Sequence, residues 1–109
     1  MAFSDKQEFR IPRHIVQPGA VNIETITADK TLDYRSATYQ IITSDGGSQN
    51  DLNLPEVVNG AMFWVKTKAA SNQNLRVMSG ASPVATLTAA GQSALFVCDG
   101  SVWDVVFHG

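Results

Sequence analysis

The 109-residue chain is expected to fold as an all-β domain, a small β-sandwich of jelly-roll-like form with about eight strands and an extended N-terminal arm. Three observations lead there. Short apolar β-runs recur at roughly ten-residue spacing from Val21 onward, separated by links rich in Gly, Asn, Asp and Ser, the pattern of a sandwich or barrel. The chain closes on two β-runs that flank Asp99-Gly100, a strong hairpin signal. No stretch carries a helical apolar period: residues 55–60 suffice for one turn, and the Ala-rich run 85–91 is interrupted by Thr86 and Thr88 and ended by Gly91.

Taken in order, residues 1–20 form the arm, since Pro12 and Pro18 exclude a long helix there. Residues 21–109 form the domain. Strands are expected at 21–28, 37–43, 51–54, 61–68, 75–78, 84–87, 92–98 and 101–107. The composition of Ser44 to Asn50 marks a loop, Pro55 stops the third strand, and Asn59-Gly60 turns the chain into the fourth. In that strand Met62, Trp64 and Lys66 oppose Ala61, Phe63, Val65 and Thr67. Residues 69–74 are a further polar turn. The expected core is Ile23, Ile41, Leu54, Phe63, Val65, Leu75, Val77, Leu87, Leu95, Val97, Val105 and Phe107. In the last strand Asp104 falls on the face opposite Trp103.

Size and charge narrow the function. A chain of this length is one domain that buries roughly 65% of its unfolded surface, enough for one thin core. Only 17% of residues are charged, below the roughly 25% usual for soluble domains, which suits a surface that touches other protein over much of its area and equally a small β-domain outside the cytosol. The net charge is −2, and the charges are dispersed. Lys6, Arg10, Arg13, Lys30 and Arg35 balance Asp5, Glu8, Glu24, Asp29 and Asp33, so no basic stripe offers a grip on nucleic acid and no polybasic segment a grip on membrane. The first residues lack the apolar segment of a secretory signal, and no run approaches transmembrane length, so synthesis in a cytosol without export is expected.

Chemistry-bearing constellations are sparse. Cys98, alone of its kind, sits in an apolar strand and reads as a buried inert thiol. His14 and His108 have no second ligand at metal spacing, and neither catalytic residues, cofactor nor metal is expected. Asp29 with Asp33, and Asp99 with Asp104, could pair as carboxylates, but turn roles account for Asp29, Asp33 and Asp99. No serine stands in a Gly-x-Ser-x-Gly elbow, and Gly46-Gly47 lacks the Lys of a phosphate loop. The aromatics Tyr34, Tyr39 and Trp64 remain as candidates for surface recognition by stacking.

The order of turns and strands carries a likeness that no single element does. Leu52-Asn53-Leu54-Pro55 is followed by Asn59-Gly60, then by the aromatic-rich Met62-Phe63-Trp64-Val65. Near the end come Ala90-Gly91-Gln92-Ser93-Ala94-Leu95-Phe96-Val97 and the hairpin Asp99-Gly100-Ser101-Val102-Trp103-Asp104-Val105-Val106. Over about three-quarters of its length the chain thus resembles a small β-domain of tailed-bacteriophage structural proteins. The resemblance implies a non-enzymatic virion component, often trimeric, and carries over no catalytic residue. Without a collagen-like repeat, heptads or a long shaft, the sequence looks most like a capsid decoration (cement) protein. Such a protein is made in the bacterial host cytoplasm and sits on the capsid exterior as a homotrimer bound to the major capsid protein. Phe3, Phe9, Arg10, Ile11, Arg13, Ile15 and Val16 of the arm are then the expected capsid or subunit contacts. The alternative is a receptor- or glycan-binding module of a head or tail fibre, using Tyr34, Tyr39 or Trp64 beside the 44–50 loop.

Overall fold

The computed structural model describes residues 19–45, 49–68 and 74–109, so the expected arm, apart from its last two residues, lies outside the described residues, as do 46–48 and 69–73 of two expected loops. Nine strands make up the described fold: β1 (Val21–Ile26), β2 (Lys30–Thr31), β3 (Tyr39–Ser44), β4 (Asn50–Leu54), β5 (Met62–Thr67), β6 (Leu75–Ser79), β7 (Ser82–Leu87), β8 (Ser93–Cys98) and β9 (Trp103–His108). No helix occurs among the described residues. The expected all-β, two-sheet domain is what forms. β2 is the strand added to the expected eight, two residues too short to leave a periodic signal.

The wiring is a coil rather than the antiparallel Greek keys of a jelly roll. Strands β1 to β6 alternate between a five-stranded sheet ordered β1-β3-β5-β8-β9 and a four-stranded sheet ordered β2-β4-β6-β7. Consequently β1, β3 and β5 run parallel, as do β2, β4 and β6. Parallel neighbours need a crossover of a dozen or more residues, usually a helix. Here the strand in the opposite sheet supplies it, and each pair of strands is one turn of the coil. After β6 the chain reverses at Gly80, and β7, β8 and β9 finish the sheets with antiparallel pairings.

Between the sheets lies a single core of Ile26, Leu32, Ile42, Leu52, Leu54, Ala61, Phe63, Val65, Leu75, Val77, Leu87, Ala94, Phe96, Cys98 and Trp103. Six residues of the expected core, Leu54, Phe63, Val65, Leu75, Val77 and Leu87, are in place. The other six are corrected. Ile23 and Phe107 are exposed, Val105 is 37% exposed, and Ile41, Leu95 and Val97 are half-buried. On β3 and β8 the buried set is Gln40, Ile42 and Ser44, and Ala94, Phe96 and Cys98, one residue out of phase with the expectation. β8 is apolar on both faces, β3 has Ile41 on one face and Ile42 on the other beside buried Gln40 and Ser44, and a one-residue shift of phase exchanges every side chain between core and exterior. Cys98 is buried as expected, and Trp103 and Asp104 face opposite ways.

Polar groups hold successive turns of the coil in register at the corner where chain leaves the five-stranded sheet. Buried Asn50 donates from Nδ2 to Ser44 Oγ (2.9 Å) and to the Ile26 carbonyl (3.4 Å), while its backbone N–H donates to Asn74 O (3.2 Å). Ser44 Oγ in turn donates to Asn74 O (3.3 Å). One side chain thereby ties the first turn to the second, and its backbone ties the second to the third. At the opposite corner Tyr34 stacks on Phe63 with ring centroids 6.5 Å apart, and Phe63 meets Trp103 at 6.0 Å. The indole Nε1 donates to Pro55 O (2.9 Å), which satisfies the one polar atom of an otherwise apolar ring.

Candidate functional site

The surface that stands out is the outer face of the five-stranded sheet. Cross-strand partners point to the same side of a sheet. The register Val21↔Tyr39↔Trp64↔Leu95↔Phe107 therefore draws one uninterrupted apolar row across all five strands. The adjoining row begins Ile23↔Ile41 and turns polar at Lys66 and Ser93. Val21 is 54%, Ile23 61%, Tyr39 43% and Phe107 51% exposed. Trp64 and Phe107 meet at a ring-centroid distance of 6.0 Å with tilted planes. Between Val21, Tyr39, Ile41, Trp64 and Lys66 the face dips into a shallow groove of about 260 Å³.

Strand β1 shows how this face arises. Its partners across the ladder place Asn22, Glu24 and Ile26 on the same side as the buried Gln40, Ile42 and Ser44, so the inward side of β1 is mostly polar and the outward side mostly apolar. The inward polar groups are satisfied: Asn22 Nδ2 donates to Gln40 Oε1 (2.8 Å) and Glu24 Oε1 (2.7 Å), and Lys30 Nζ pairs with Glu24 Oε1 at 2.8 Å. The Lys30 ammonium and the Asn22 amide hold the Glu24 carboxyl below its ordinary pKa. This is the polar cover that the terminal turn of a stacked coil requires.

The outer face of the other sheet is polar by contrast. Arg76 makes a bidentate pair with Asp51 (2.9 and 3.0 Å), and Asp29 Oδ1 accepts the Asp51 N–H. Asn53 faces out beside Thr31.

Of the three aromatics singled out in the sequence, Tyr39 and Trp64 lie side by side in the apolar row, and Tyr34 lies elsewhere. Its ring packs on Phe63, its hydroxyl donates to the Glu56 carbonyl, and burial above all, with negative charge nearby, pushes its pKa up to about 12. These are the contacts of a structural tyrosine. The arm residues Phe3, Phe9, Arg10, Ile11, Arg13, Ile15 and Val16 lie outside the described residues. Ile23, Ile41, Leu95 and Phe107, which hydropathy alone places in the core, belong to the face. The strand alternation Val21, Ile23 against Asn22, Glu24 was the available signal, but it is silent on which side is inside.

Elsewhere the described residues hold no group of three or more His, Cys, Asp or Glu side chains placed to bind a metal ion. Asp99 accepts the N–H groups of Ser101 (2.8 Å) and Val102 (3.0 Å), which lower its pKa and fix the turn. No family model, curated protein or solved structure matches the chain.

Proposed function

We propose that this chain is a non-enzymatic structural protein of a tailed-bacteriophage virion, a capsid decoration protein. It binds the major capsid protein on the shell exterior as a trimer and braces the shell mechanically. The observation that carries this reading is the uninterrupted apolar row on the outer face of the five-stranded sheet. Bare apolar surface of this extent marks a place for another macromolecule rather than for water. The ordered turn signals that resemble phage β-domains supply the class of assembly. Many such contacts, each weak, act together on a repeating lattice through multivalency. In this reading the arm residues Phe3, Phe9, Ile11, Ile15 and Val16 reach the neighbouring capsid subunit.

The adjacency of Tyr39 and Trp64 favours one other reading, a glycan-binding module of a head or tail fibre. Sugar sites combine aromatic faces with several convergent polar groups that fix the hydroxyls. Next to these two rings the groove is mostly apolar, with Gln40, Lys66 and Ser93 as its polar members. Protein contact therefore ranks first. The copy number of the chain relative to the major capsid protein in purified virions decides between them. A ratio near one to one is expected for decoration, a handful of copies shifts the assignment to a fibre, and absence from virions overturns both.

A further inference from the structure

We propose that the apolar outer face of the five-stranded sheet is covered by a second copy of this chain, sheet face on sheet face. The biological meaning of this contact rests on the structural-protein reading above, whereas the contact itself is read from the face.

Three features of the face point to a copy of the same chain. The first is the inverted polarity of β1, whose inward side carries Asn22 and Glu24 while Val21 and Ile23 point outward. With Asn22 and Glu24 covering the end of the coil, the apolar side of β1 is left outside, where a covering surface would remove it from water. The second is composition. Tyr39, Ile41, Trp64, Leu95 and Phe107 are uncharged, and the charged groups that the register places on this side, Lys66 and Asp104, stand in the rows beside the apolar one. Contacts between like chains are on average more apolar and poorer in charge than the rest of a protein surface, as this band is. The third is size. The exposed part of the band is on the order of 500 Å², so two copies bury about 1,000 Å² in all, where specific interfaces begin. Two sheet faces also stack readily about 10 Å apart with their strands inclined by roughly 30°, and such a pairing is self-complementary.

The test is sedimentation of the full-length chain at micromolar concentration. It compares wild type with Ile23→Lys and Tyr39→Lys on the face, and with Thr31→Lys on the outer face of the other sheet. Circular dichroism and thermal unfolding confirm that each variant is folded, which the exposure of all three positions favours. Wild type and T31K should sediment as a dimer, the closed form of a self-complementary face. I23K and Y39K should weaken association by at least about tenfold. A readout independent of any variant is dilution of the wild-type protein, which should red-shift the emission of Trp64 and raise its quenching by iodide as the face is uncovered. A monomeric wild type, or a multimer whose mass both lysine variants leave unchanged, overturns the inference. The two readings fail separately. A monomer abundant in virions removes this contact and the proposed trimer, and leaves capsid decoration standing with the face turned to the capsid. A multimer missing from virions does the reverse. A mass of two chains is what a self-complementary face gives, and it replaces the proposed trimer; a mass of three keeps the trimer and overturns the face-to-face pairing.

Discussion

Single polar side chains decide whether adjacent turns of this coil stay aligned. Asn50 is buried, and its amide serves Ser44 and the Ile26 carbonyl from two different turns. Asn50→Ala removes both bonds, although the Ile26 carbonyl keeps the Asp45 N–H, and it should lower stability by about 1–2 kcal/mol in urea unfolding at unchanged slope. Glu24 answers to pH. Its folded pKa lies below the ordinary 4.5, so its contribution is complete above about pH 4.5 and is lost as pH falls through the lowered value. The pair is about one-third exposed, which limits the effect to less than about 1 kcal/mol and makes it sensitive to salt. Stability measured from pH 6 to pH 3 should fall less in Glu24→Gln than in wild type. Equal losses would show that the Lys30 pair contributes nothing measurable.

At the scale of elements, turns were legible and faces were not. Asp99-Gly100 was read as a hairpin, and it forms one: Asp99 accepts two backbone N–H groups and Gly100 sits at φ +97°, where side chains are strained. A Cβ there would also come within 3.2 Å of Asn59 Cβ. Gly100→Ala should therefore cost about 1–3 kcal/mol, visible as a drop of several degrees in Tm. An unchanged Tm would mean that the turn rearranges freely. Strand faces are another matter, because β8 is apolar on both sides and β3 carries an isoleucine on each. Ile41 and Ile42, or Leu95 and Phe96, satisfy hydropathy equally well in either phase, and the choice is made by the strands they pair with. On β5, Lys66 breaks the tie, and Phe63 and Val65 were placed correctly. The candidate surface was half visible for the same reason: Tyr39 and Trp64 were singled out, while Ile23, Ile41 and Phe107 were mistaken for core.

For the whole molecule, the parallel coil joins segments distant in sequence, such as Val21 with Tyr39 and Leu52 with Val77. Such non-local pairing must meet the entropy of loop closure before it gains contacts, which slows folding. Refolding from urea should accordingly fall in the millisecond-to-second range, and full recovery within microseconds would contradict the described wiring. The sequence by itself determined the all-β class, the turns at Asn59-Gly60 and Asp99-Gly100, and most strand positions, because these depend on residues a few places apart. Only the tertiary structure decided that successive strands alternate between sheets, that the two-residue β2 exists, and that the apolar side of β1 faces out. Those choices are settled by hydrogen-bonded partners 18 or more residues away, such as Gln40 for Asn22, and no local pattern encodes the identity of such a partner.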